Sequence, residues 1–174
     1  TRYLTDLGLN NPQSTTTLAD PCHISTYPYT QDFDDFTAHT GSISGCQSSE
    51  FTEVECWQND KSADDIDWVP RSGSTTSNNT GPSDDYNTGG NYLYTEASSC
   101  PGNTAYLLSP VFDFSDITDA SLSFRYHMNG TDMGSLSVQI STDNGNTWSA
   151  DILDISGNQG NAWTERTEDL SAYD

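Results

Sequence analysis

Cys56-Trp57-Gln58-Asn59-Asp60, Asp64-Asp65-Ile66-Asp67-Trp68, Tyr92-Leu93-Tyr94-Thr95, Ala105-Tyr106-Leu107-Leu108-Ser109-Pro110 and Ser123-Phe124-Arg125-Tyr126-His127-Met128-Asn129-Gly130 follow one another in the stretch whose reading decides the fold. Short aromatic and aliphatic runs bounded by turn residues read as β-strands. Leu122, Phe124, Tyr126 and Met128 alternate with Ser123, Arg125 and His127, and Leu136, Val138 and Ile140 repeat the pattern. A period of two is the mark of a strand with one face covered. Between these runs, residues 73 to 91 are mostly Ser, Thr, Asn, Gly, Pro and Asp, the composition of a long surface loop. Three carboxylates, Asp64, Asp65 and Asp67, crowd the start of the strand that opens at Trp68.

Working outward, the chain has 174 residues, enough for one domain around one core. Its five Lys and Arg face 26 Asp and Glu, a formal charge of −21. Such a surface repels phosphates, which excludes nucleic acid and anionic lipid as partners. The acidity has two readings: a solvated surface that keeps the chain soluble, or carboxylates that hold calcium, a hard cation that takes oxygen ligands. No apolar run reaches membrane-spanning length, so no direct membrane insertion is expected. Four cysteines, Cys22, Cys46, Cys56 and Cys100, lack the paired spacing of a zinc ribbon and read as disulfide candidates. Three connectivities are open. The short local loop favours Cys46 with Cys56, which leaves Cys22 with Cys100.

Residues 1–26 are polar and read as a linker or the tail of a preceding domain. Tyr27 to Phe36 reads as the first strand, with Tyr29, Phe33 and Phe36 as its apolar contacts. Thr37 to Val54 is poorly patterned, an extended loop or a distorted edge. Ser141-Thr-Asp-Asn-Gly-Asn-Thr-Trp148 is an Asp-box sequence. There Asp143 should bond turn amides, Gly145 should take positive φ, and Trp148 should pack beneath.

Catalytic signals are absent. His23, His39 and His127 stand far apart and outside any H-E-x-x-H, and neither G-x-S-x-G nor a glycine-rich phosphate loop occurs. Acids are so abundant that a glycosidase pair cannot be singled out. Asn78-Asn-Thr80 and Asn129-Gly-Thr131 are N-x-S/T sequons in expected loops.

The pattern resembles the MAM domain, named after meprin, a neuronal surface antigen and receptor tyrosine phosphatase mu. The residues that carry it are Phe33-Asp34, Cys56-Trp57, Asp67-Trp68, Thr80-Gly81-Pro82, Tyr92 to Tyr94, Leu107 to Pro110, Phe124 to Met128, Met133 to Leu136 and Gly160 to Trp163. Each piece is common, and the combination of Tyr126-His-Met-x-Gly with Met133-Gly-Ser-Leu is specific. The resemblance covers roughly residues 27–174 and implies an all-β chain, an antiparallel β-sandwich of jelly-roll type. It implies an extracellular adhesion or protein-association module without catalysis of its own, secreted or at the cell surface. The loops Ser72 to Gly90 and Asn129 to Met133 would be its contact surface, with proteins or surface glycans as partners.

The resemblance also places Asp34, Asp60, Asp65 and Asp67 in a calcium-binding corner. It further implies strands beyond Asp174, so other segments of the same parent chain are expected to complete the sandwich. Two rival readings remain. A carbohydrate-binding module would use Tyr86, Tyr92, Tyr94 and Trp148. An ancillary domain of a secreted protease would leave the chemistry outside this sequence.

Overall fold

A computed structural model describes residues 22–43, 53–60 and 64–173. Among these residues the chain is all-β, with one short 3-10 turn at Ser171–Tyr173. The strands, in chain order, are β1 (His23–Ile24), β2 (Glu53–Val54), β3 (Trp57–Asn59), β4 (Val69–Ser72), β5 (Asn91–Tyr94) and β6 (Leu107–Leu108), of which β1 lies in the stretch read as a linker and β2 in the one read as a loop or distorted edge. They continue as β7 (Val111–Phe112), β8 (Ser121–Tyr126), β9 (Ser135–Val138), β10 (Leu153–Ser156) and β11 (Thr164–Asp169).

The pairings are mainly antiparallel and mostly long-range. Strand β3 lies between β2 and β6, β4 pairs with β5, β8 with β11, and β9 with β10. The exception is β1, which runs parallel to β7 with His23 opposite Val111. Along β8 and β9, exposed and half-buried residues alternate as the period of two requires. In the β8–β11 ladder, Phe124 faces Arg166 and Tyr126 faces Thr164. Cross-strand partners share a face, so the apolar stripe of β8 lies beside polar side chains.

The deepest side chains are Phe36, Val69 and Asp67, with Ile66, Tyr92, Met128, Leu153 and Leu170 close behind. Trp57, Trp68, Leu107, Phe124, Tyr126, Leu136, Val138 and Trp163 are apolar core candidates by pattern, yet each is only half-buried. The ladders β8–β11 and β9–β10 are two strands wide among the described residues. A ladder that narrow shades its own side chains from one side only.

Two expectations are corrected. Tyr27 to Phe36 is not a strand but a series of bends. The Gln31 amide oxygen accepts from Phe33 N at 2.6 Å and Asp32 Oδ1 from Asp34 N at 3.1 Å, with Phe33 at φ 66°. Side chains that capture nearby backbone donors compete with a ladder, and here they prevail. The apolar contacts survive the change: Tyr29 meets Phe112 edge-on, and Phe33 meets both Phe36 and Trp57. The second correction is the disulfide, since Cys22 is bonded to Cys56, so neither Cys46–Cys56 nor Cys22–Cys100 forms. The turn Glu55-Cys56, both residues at positive φ, joins β2 to β3 and presents Cys56 toward the segment that carries β1. Cys100 is disulfide-bonded as well, and Cys46 lies outside the described residues. Cys22, His23 and Ile24, in the stretch read as a linker, are therefore fastened to the sheet by a covalent bond and a strand pairing.

Candidate contact groove and acidic corner

The loop between β4 and β5 is held against the rest of the chain at several points. Within it, Thr75 Oγ1 donates to Thr80 O at 3.0 Å, and Gly81 sits at φ 66° with Thr75 directly over its α-carbon. A methyl there would meet Thr75 Oγ1 at 2.6 Å, so only glycine fits. Gly81 N donates to Asn129 O at 3.2 Å and Asn129 Nδ2 to Asn79 O at 3.4 Å, which joins this loop to the one that follows β8. Farther along, Trp163 Nε1 donates to Asp84 O at 3.0 Å, and the Arg125 guanidinium lies 3.7 Å from the centre of the Tyr86 ring. Arg125 also bonds Glu165 Oε2 at 2.7 Å, so the ion pair fixes the cation beneath the ring.

The two loops expected to make contacts thus meet. Between them lies an open groove of about 310 Å³ whose walls include Ser77, Asn78, Thr80, Pro82, Asn129 and Asn161. Its lining is hydroxyl and amide, without one charged side chain, on a chain of charge −21. At its margin Asn161 Oδ1 accepts from His127 Nε2 at 3.0 Å, and the His127 ring meets Trp163 edge-on. The His127 Nδ1 atom is buried without a hydrogen-bond partner. Sequence pattern puts His127 on the exposed phase of its strand; Trp163, thirty-odd residues on, is what covers it.

The acids divide into two groups. Asn59 grips the backbone of Trp68 from both sides, its Nδ2 donating to Trp68 O at 3.0 Å and its Oδ1 accepting from Trp68 N at 2.8 Å. That grip closes the segment between them into a corner carrying Asp60, Asp64, Asp65 and Asp67. Asp65 Oδ2 accepts from both the backbone and the hydroxyl of Thr104, and Asp64 Oδ2 accepts from Tyr106 N. Burial raises the Asp64 carboxyl above the ordinary aspartate value, the Tyr106 N–H pulls it back, and the charges of Asp67 and Asp60 push it up again. Asp67 is only 1% exposed.

Asp34 is placed elsewhere. Its Oδ1 accepts from Asn91 N at 2.7 Å above Gly90, where a methyl would lie 2.4 Å from Asp34 Oδ1 and 2.9 Å from Asp85 Oδ2. Asp85, which local pattern does not single out, is therefore the carboxylate nearest Asp34 across Gly90. Among the described residues, no three of these aspartates bring oxygens within 4.8 Å of one another. Cys22, Glu53 and Cys56 do come that close, but both sulfurs belong to the disulfide and cannot act as thiolate ligands.

The Asp-box turn has its expected geometry. Asp143 Oδ1 accepts from Thr147 N and Ser141 Oγ, Asp143 Oδ2 accepts from Thr147 Oγ1, and Gly145 sits at φ 80°. These bonds hold the Asp143 carboxyl below its ordinary value. Trp148 touches Gly145 but is 47% exposed rather than packed beneath the turn. Of the aromatics offered for sugar binding, Tyr92 is buried at 5%, Tyr94 is half-buried, and Tyr86 stands 52% exposed.

An all-β module stapled by a disulfide, with two polar loops joined into one groove, is the class that this architecture defines. The sequence profile of the MAM domain (meprin/A5/mu) matches residues 46–174, and the chain belongs to that family. Neuropilin-1 of Xenopus laevis is 36% identical over 85 residues, 48% of this chain and 8% of that protein. MAM domain-containing protein 2 of Homo sapiens is 37% identical over 123 residues, 63% of this chain and 17% of that protein. Neuropilin-1 of Gallus gallus is 32% identical over 85 residues, again 48% of this chain and 8% of that protein. The chain thus spans less than a fifth of the length of these relatives. No solved structure matches it. Among the described residues no helix is long and apolar enough to cross a membrane.

Proposed function

We propose that this chain is a non-catalytic extracellular module for adhesion and protein association, secreted or held at the cell surface. Its contact surface is the groove between the loop after β4 and the loop after β8. The observation that carries this reading is the joining of those two loops by the Gly81–Asn129 and Asn129–Asn79 bonds. An uncharged wall of amides and hydroxyls lets a partner approach a strongly acidic chain without opposing its charge. The test is retention of detergent-solubilised cell-surface proteins on the immobilised chain, beside Ser77→Arg and Asn161→Arg. Ser77 bonds Glu96 and Asn161 bonds His127, so each variant's melting temperature is measured and retention is compared at equal folded fraction. A specific partner should be lost at least tenfold by either one, and a partner retained equally by both would remove the groove from the contact surface. Glycan arrays separate the carbohydrate-binding alternative, which the exposure of Tyr86 and Trp148 favours.

Calcium has a place in the same proposal, as a structural ion that would have to draw together Asp60, Asp64 and Asp67, whose oxygens stand apart in this structure. Burial is the main cause of the raised Asp64 carboxyl, and the charges of Asp67 and Asp60 add a smaller part that a dication would offset. Asp64, Asp65 and Asp34 each already accept a hydrogen bond, from Tyr106, Thr104 and Asn91, and Asp34 lies away from the other acids of the corner. Calcium at 100 times its dissociation constant would add about 2.7 kcal/mol. The melting temperature should rise with calcium beyond the effect of sodium chloride at equal ionic strength, and Asp60→Asn should blunt the rise. Equal curves in calcium and in chelator would end this part of the proposal.

A further inference from the structure

The sequence carries two sequons, and the fold treats them unequally. Asn78 lies in an exposed turn, and among the described residues its amide makes no hydrogen bond. Thr80, which completes that sequon, receives a bond at its carbonyl from Thr75 while its own hydroxyl is unbonded. Asn129 is half-buried where the two loops meet, its Nδ2 donating to Asn79 O at 3.4 Å and its carbonyl accepting from Gly81 N at 3.2 Å. At the next residue, Gly130, a methyl would stand 3.1 Å from Thr80 and 3.2 Å from Met133, a tight fit that those side chains would have to relieve. The second sequon's Thr131 donates its hydroxyl to Asp132 Oδ2 at 3.2 Å.

We propose that Asn78 carries an N-linked oligosaccharide in the folded protein and that Asn129 does not. The donor class is a lipid-pyrophosphate-linked oligosaccharide. Asn78 Nδ2 forms a bond to the anomeric carbon while the bond from that carbon to the phosphate oxygen breaks. The lipid pyrophosphate leaves with the electron pair, and the amide proton passes to a base of the transferring enzyme. Transfer takes place on chain that has not yet closed, so the fold selects among products rather than acceptors. A sugar on Asn78 points into solvent and leaves every bond of the loop in place. A sugar on Asn129 Nδ2 would replace one of its two hydrogens at the half-buried point where the loops meet, beside the Asn79 carbonyl, and crowd the contact between them. A chain so modified cannot complete its native contacts.

The inference rests on the extracellular reading above, because only a chain entering the secretory route meets that donor. It also deepens it: a glycan on Asn78 stands on one wall of the groove, so a partner must approach from the Asn129 and Asn161 wall. In the experiment, the full chain is expressed in animal cells with a secretion leader. Cells and medium are pooled, and limited proteolysis leaves the folded fraction. Glycans are then released with an amidase in heavy-oxygen water, which converts each occupied Asn to a labelled Asp. Label at Asn78 alone is the expected result. Asn78→Gln should abolish the mass lost on amidase treatment, and Thr131→Ala should leave it unchanged. Label at Asn129 in the folded fraction, or an unlabelled Asn78, would overturn the proposal. The map is read without any partner, so failure of the binding test and failure of this one are told apart.

Discussion

Tyr92 shows how one residue can bind a loop to a sheet. Its ring is buried against Tyr94 and Trp163, and its hydroxyl donates to Gly73 O at 2.7 Å, where β4 gives way to the loop. Burial, the largest cause, raises the phenol to about 12, with Arg71 opposing and the charges of Tyr94 and Asp84 adding to the rise. A raised folded value gives stability that is full below the unfolded value near 10 and is lost as pH climbs toward about 12. Urea unfolding should therefore show a falling limb in that window, and Tyr92→Phe should make it shallower. At neutral pH the same substitution should cost about 1 kcal/mol for the lost hydrogen bond. The strand position of Tyr92 was legible from its aromatic run, but its bond to Gly73 was not. Nothing local marks which carbonyl a buried phenol will reach.

At the level of elements, alternation carried β8 and β9, where the covered face repeats every second residue and no competitor intervenes. It failed at Tyr27 to Phe36, where Gln31 and Asp32 capture the Phe33 and Asp34 backbone donors locally and bend the chain. It had no means of finding β1, whose parallel partner β7 lies far along the chain. The disulfide from Cys22 to Cys56 supplies what two residues of strand cannot, because it constrains the unfolded chain across a separation of 34 residues. Cys22→Ser with Cys56→Ser should cost about 3–4 kcal/mol. Denaturant midpoints of the double variant will measure it, and an unchanged midpoint would mean that β1 holds without the staple. Loop closure by the shortest route misled the pairing, since turn geometry at Glu55-Cys56, not proximity in sequence, decides what a thiol faces.

For the whole molecule, a charge of −21 works against compactness everywhere at once. Raising ionic strength from about 0.01 to about 0.1 M shortens the screening length from about 30 to about 10 Å. The melting temperature should rise over that interval in sodium chloride alone. A flat response would place the repulsion in local corners such as Asp60, Asp64 and Asp67 rather than across the surface. The composition of the two contact loops was legible in the sequence, and so was the acidity of the corner. The meeting of the loops through Asn129 was not, nor was the removal of Asp34 to the side of Asp85 and Asn91. Both depend on which distant backbone groups remain unpaired after the ladders form, and no single window of sequence holds that information.

Fastening Cys22 to Cys56 also settles how the chain would answer a mechanical pull. Tension applied at its two ends reaches Cys22 and can cross the sulfur bridge to Cys56. With a separation of 34 residues and about 3.3–3.6 Å for each extended residue, this loop alone holds roughly 110–120 Å of contour length, and because Cys100 is disulfide-bonded as well, full extension needs every bridge reduced. In single-molecule stretching this gain should appear only after a reductant is added, turning a short tether into a long one.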